Sequence, residues 1–119
     1  MSIFIKICGI TNDEDANLSI EYGADAIGLN QYEKSPRFVN KKELLKIKNS
    51  LNDDVLIVPV FVNPKEGEVL KFLDIYPNSV LQFHGNESLE FCKKFGRPFI
   101  KSINIDDSIN AYDYQKGYP

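Results

Sequence analysis

Two cysteines and one histidine are the scarce reactive side chains of this 119-residue chain. Cys8 precedes a glycine at the end of an apolar run and stands just ahead of a predicted helix. A thiol beside a helix N-terminus can have a lowered pKa and act as a base or nucleophile. A small buried cysteine is the structural alternative, and position alone leaves both open. Cys92, between Phe91 and Lys93 in a predicted helix, is expected to pack structurally. His84 suits hydrogen-bond donation or proton shuttling, or equally a capping role in a loop. Arg37, in the loop Ser35-Pro36-Arg37, can clamp a carboxylate through two parallel hydrogen bonds, or remain solvated. Lys6 and Lys101 interrupt apolar runs; solvent access along one face is expected of both. With one histidine and no CxxC pair, a zinc or iron site lacks ligands, and no metal is expected.

The elements that must position these residues alternate along the chain. Strands are expected over 3–8, 24–29, 55–62, 80–84 and 99–103. Helices are expected between them, the first capped by Thr11 or Asn12 and ended by Gly23, with Ala16, Leu18, Ile20 and Tyr22 apolar. The second is capped by Asn40 and carries Leu44, Leu45, Ile47 and Leu51 on one face, with its lysines solvated. A third starts at Pro64 with Val69, Leu70, Phe72 and Leu73, a fourth spans 87–95, and a short fifth spans 106–114. Val55 to Val62 is hydrophobic throughout, as in a parallel strand covered on both faces. Pro59 inside it points instead to an edge or bulge.

Five β-then-α units predict a parallel sheet, either doubly wound and open or the first part of a (β/α) barrel. Periodicity does not choose between them. In both, ligands lie beyond the carboxyl ends of the strands, where Cys8-Gly9, Asn30-Gln31, Asn63, His84-Gly85 and Ser102 fall.

Composition narrows the partners. The chain is 43% hydrophobic, and 17 acidic against 14 basic side chains give a net charge of −3, which disfavours nucleic acid. No apolar run reaches the roughly 20 residues of a membrane span, and the N-terminus lacks a signal-peptide layout. A single soluble, cytoplasmic domain over residues 1–119 is expected.

Five motifs resemble, in order and spacing, those of the phosphoribosylanthranilate isomerase family. They are Lys6-Ile7-Cys8-Gly9-Ile10-Thr11 with Glu14-Asp15-Ala16, Gly23-Ala24-Asp25-Ala26-Ile27-Gly28, Lys34-Ser35-Pro36-Arg37, Val60-Phe61-Val62-Asn63 and Gln82-Phe83-His84-Gly85-Asn86-Glu87. The resemblance runs from residue 4 to about residue 101. It implies a (β/α)8 barrel and a cofactor-free Amadori rearrangement of N-(5′-phosphoribosyl)anthranilate in tryptophan biosynthesis. It implies further that Cys8 is the general base, that Arg37 pairs with the anthranilate carboxylate, and that His84 and Gln82 line the pocket. Gln31 stands at the pocket rim where the family usually has an apolar residue, and Phe83 where it has leucine. Phe83 is expected to point away from the barrel mouth.

Length departs from the family pattern. A (β/α)8 barrel takes roughly 200–250 residues, so 119 residues correspond to an incomplete barrel of about five β/α units in sequential strand order. The family's general-acid aspartate, at the end of strand six, and its phosphate-binding loops, after strands seven and eight, have no counterpart here. The chain alone is therefore expected to be inactive or nearly so. Unpaired first and fifth strands are expected to drive a homodimer or larger assembly. The competing readings are a non-catalytic interaction domain derived from the barrel, and a receiver-like signalling domain. The latter lacks its carboxylates, since Cys8-Gly9 and Val62-Asn63 occupy their places.

Overall fold

The computed structural model describes residues 3–103. Five strands and four helices alternate: β1 (Lys6–Ile7), α1 (Asp13–Glu21), β2 (Ala26–Asn30), α2 (Lys41–Ser50), β3 (Leu56–Phe61), α3 (Glu66–Ile75), β4 (Leu81–Phe83), α4 (Leu89–Lys93) and β5 (Phe99–Lys101). All neighbouring strands pair in parallel, in the order β1-β2-β3-β4-β5. A doubly wound sheet reverses its strand order partway. Sequential order therefore selects the barrel-type arrangement and removes the architecture on which the receiver-like reading rests. The helix expected over 106–114 lies outside the described residues.

The sheet is curled. Lys6 Nζ on β1 donates to Gln82 Oε1 on β4 at 2.5 Å, across two intervening strands. In a flat sheet β1 and β4 would stand about 14 Å apart at ordinary strand spacing, beyond the reach of that bond. Register places Lys6, Ala26, Leu56, Val60, Gln82 and Ile100 on this concave face. The opposite face, with Ile27, Leu29, Ile57, Phe61, Leu81, Phe83 and Phe99, packs with Leu44 and Ile47 of α2, Val69 and Phe72 of α3, and Cys92 of α4. Phe83 is fully buried at the centre of this layer, stacked on Phe61 at 5.9 Å and edge-on to Phe91 at 5.8 Å. It points away from the strand-end site, as the sequence indicated, and such ring pairs add about 0.5–1.5 kcal/mol each beyond their burial.

Local chemistry explains most boundaries. Asn12, Asn40 and Ser88 accept from the backbone N–H groups of Asp15, Glu43 and Phe91 and so cap α1, α2 and α4. Gly23, at φ 104°, follows α1 in a conformation that favours glycine. Pro59 lies in the central strand, against the edge or bulge expected of it. Ile57 O and Phe61 O accept from Val80 N and His84 N, so odd-numbered residues of β3 turn their ladder groups toward β4. The missing donor of Pro59 faces that side, where registered pairing starts only at Val60↔Gln82.

Other expectations need correction. β1 is two residues rather than six, because it has one neighbour and joins β2 over a short register. β5 ends at Lys101, and α4 is five residues rather than nine. Of the apolar positions of α1 only Ala16 is buried; Leu18 and Tyr22 are 47% and 83% exposed, flanking a groove beside Ile5 and Ile7 of the β1 edge. Leu45 and Leu70 also face outward.

Candidate active site

The carboxyl ends of the five strands converge, as parallel order requires. At the end of β1, the exposed Cys8 lies against Gly28 of β2 so closely that a Cβ on Gly28 would stand 2.7 Å from Sγ and 3.1 Å from the Cys8 Cα. Only glycine leaves room there for the thiol. Gly9 follows with φ 81°, and Arg37 folds over it: a Cβ at Gly9 would meet the Arg37 Cδ at 3.1 Å and a guanidinium nitrogen at 3.2 Å. The loop after β2 thus brings its arginine against Gly9, the residue that follows Cys8. Ser35 Oγ accepts from Arg37 N at 3.1 Å, and the bridge between Asn30 and Phe38 closes the loop. No carboxylate among the described residues is recorded in an ion pair with the guanidinium.

His84 follows β4 with its ring exposed, and its Nδ1 lies 2.8 Å from Ser102 Oγ after β5. Gln82, two residues earlier on the concave face, accepts from Lys6. Gln31 turns its amide into its own loop, donating to Asn30 O and Val39 O at 2.9 Å each, and so braces the rim.

The turn after His84 is held from behind. Glu87 is buried and accepts from Gly85 N at 3.0 Å and Asn63 N at 2.8 Å. Asn63, at φ 47°, accepts from Asn86 N at 2.7 Å, and its side chain would lie 2.6 Å from a Cβ on Gly85. Lys101 Nζ pairs with Glu87 at 3.2 Å, the two side chains being 7% and 2% exposed. Solvent access was the expectation for both lysines; Lys101 is instead buried against a carboxylate, and Lys6 is half-buried on Gln82. Glu87 was missed as a site-building residue. A carboxylate three positions after His84, with a lysine on the next strand, was the available signal.

Arg37 is the cation packed against Gly9, next to Cys8 in the chain. The first turn of α1 is already crowded with Asp13, Glu14 and Asp15. Cys92 is fully buried. Cys8 and Gly28 pack at the ends of β1 and β2, and Gln82 and His84 stand at the end of β4; the cavity of about 310 Å³ beside Lys48, Tyr76 and Ser79 belongs to a different region.

A curled parallel sheet in sequential order, with helices outside and polar groups at the strand carboxyl ends, defines a protein of the (β/α)-barrel class, in which active sites lie at those strand ends. A family model described as N-(5′-phosphoribosyl)anthranilate (PRA) isomerase matches residues 5–118, and the chain belongs to that family. The N-(5′-phosphoribosyl)anthranilate isomerase of Alcanivorax borkumensis is 41% identical over 114 residues, covering 96% of this chain and 52% of the relative. The crystal structure of the Thermotoga maritima isomerase, a dimeric protein, superposes with a TM-score of 0.87 at 36% identity, over 99% of this chain and 60% of that one. An isomerase complexed with reduced 1-(o-carboxyphenylamino)-1-deoxyribulose 5-phosphate gives 0.86 at 36% identity, over 97% and 62%. The chain thus spans about half the length of the curated relative it matches. Among the described residues no helix is long and apolar enough to cross a membrane.

Proposed function

We propose that this chain supplies the base and the carboxylate clamp of an aldose–ketose isomerase acting on N-(5′-phosphoribosyl)anthranilate. The observation that carries the reading is the placement of Arg37 over Gly9, the residue that follows Cys8. Once the ribose ring is open and the anthranilate nitrogen is doubly bonded to C1′, the Cys8 thiolate removes the C2′ proton. The C2′–H electron pair forms the C1′=C2′ bond as the C1′=N pair returns to the protonated nitrogen; the resulting enol then takes a proton at C1′ and loses its hydroxyl proton to become the ketone. Arg37 pairs with the anthranilate carboxylate and sets the C2′–H against the sulfur. Gln82 and His84 line the same pocket. The chemistry moves only protons within one molecule and needs no cofactor.

Opening the ring calls for a general acid, and holding the phosphate calls for further loops; the family places both beyond the fifth strand. General acid–base groups contribute about 10²–10⁴-fold each, so these 119 residues alone turn over little or no substrate. The exposed β1 edge favours self-association, and two free cysteines suit a cytoplasmic setting.

Calorimetric titration of the purified chain with reduced 1-(o-carboxyphenylamino)-1-deoxyribulose 5-phosphate tests the clamp. Saturable binding is expected, weakened about tenfold or more in Arg37→Ala, the equivalent of losing a charged hydrogen-bonded pair. Absence of binding, or indifference to Arg37→Ala, would favour the non-catalytic interaction domain.

A further inference from the structure

A histidine can serve a site in three forms, and what fixes its form is the partner of the ring nitrogen turned away from the ligand. For His84 that partner is Ser102, whose Oγ lies 2.8 Å from Nδ1 and whose hydroxyl can either donate to that nitrogen or accept from it. The two strand ends carrying the pair are closely tied: His84 N donates to Phe61 O at 2.7 Å and Ser102 N to Phe83 O at 2.9 Å. Behind them sits the buried Lys101–Glu87 pair. The Lys101 ammonium donates to Gly85 O, adjacent to His84, and at 2.9 Å to Ser102 O, the carbonyl of the residue bearing the hydroxyl. Glu87 holds Gly85 N and Asn63 N from the other side. One ion pair therefore fixes the gap that the Ser102–His84 bond spans. Burying two charges costs more desolvation than a packed apolar pair would, and here the pair ties the end of β5 to the turn that follows His84.

We propose that Ser102 is a positioning residue for His84, donating its hydroxyl proton to Nδ1 and leaving the ring proton on Nε2, with the Lys101–Glu87 pair keeping the hydroxyl in place. His84 then presents an N–H donor toward the mouth of the site, suited to an oxygen of the substrate rather than to proton abstraction. That last assignment rests on the isomerase reading; the tautomer does not.

The test is nitrogen NMR of the intact chain with the imidazole neutral, where His84 is the sole histidine and its ring signals need no assignment. The expected wild-type spectrum has the proton on Nε2. Ser102→Ala is expected to lower the Nε2–H to Nδ1–H ratio roughly fivefold, the equilibrium equivalent of one net hydrogen bond, and Ser102→Thr to restore it. Lys101→Met combined with Glu87→Gln, which removes both buried charges together, is expected to lower the ratio as well. A proton on Nδ1 in the wild type, or an unchanged ratio in Ser102→Ala, would overturn the proposal, and Ser102→Ala decides if the double variant does not fold. Because no turnover is measured, a shifted ratio beside failed binding of the reduced product analogue would sink the isomerase reading alone.

Discussion

At Cys8 the position of the thiol depends on a neighbour with no side chain. Gly28 leaves room for the sulfur, and Gly9 lets the Arg37 stem pack close. The second cysteine is its opposite. Burial pushes the Cys92 thiol up to about 11 from an ordinary 9.0, with the Glu87 carboxylate adding to the rise and the Lys101 ammonium opposing it. A folded-state value above the unfolded one means the unfolded chain loses this proton first as pH rises. The Cys92 contribution to stability is therefore whole below pH 9 and is lost between about pH 9 and 11. Urea unfolding across that window should show stability falling, and Cys92→Ala should flatten the part of the fall that Cys92 causes. An identical slope in the variant would contradict the burial argument. Cys8 should meanwhile react with a thiol reagent in the native state while Cys92 does not.

The elements show what was legible in the sequence and what was not. The β/α alternation, the cap at Asn40, a cap at Thr11 or Asn12, and the burial of Phe83 away from the barrel mouth were readable. Strand order was not, because periodicity carries no information about neighbours; the motif register supplied it. Pro59 misled because the edge rule assumes a ladder donor is needed on every side, whereas β3 and β4 begin their register one residue later. Lys101 misled because lysine is usually solvated, and its partner Glu87 is reached through the β4 turn rather than along the strand. The candidate site was readable as residue types, while the Ser102–His84 contact follows from the pairing of β4 with β5 and the Lys6–Gln82 contact from curvature. That curvature leaves β1 at an edge with Ile3, Phe4, Ile5 and Ile7 exposed. Light scattering at micromolar concentration should therefore report a dimer or larger species, and Ile5→Lys with Ile7→Glu should shift it toward monomer. A monomeric wild-type chain would contradict this.

The described molecule is a curved wall rather than a closed barrel, and the site is divided accordingly. The strand ends and the loops after them carry a thiol at Cys8, a guanidinium at Arg37, an amide at Gln82 and an imidazole at His84. On the isomerase reading, the acid and the phosphate grip must come from a further three β/α units. The most direct measurement joins the two parts: a chimera of this chain with the portion of the Thermotoga maritima isomerase that begins at its sixth strand, assayed with N-(5′-phosphoribosyl)anthranilate. The account predicts turnover that falls by about 10²–10⁴-fold in Cys8→Ala. A folded chimera without turnover, or one whose turnover is indifferent to Cys8→Ala, would contradict it.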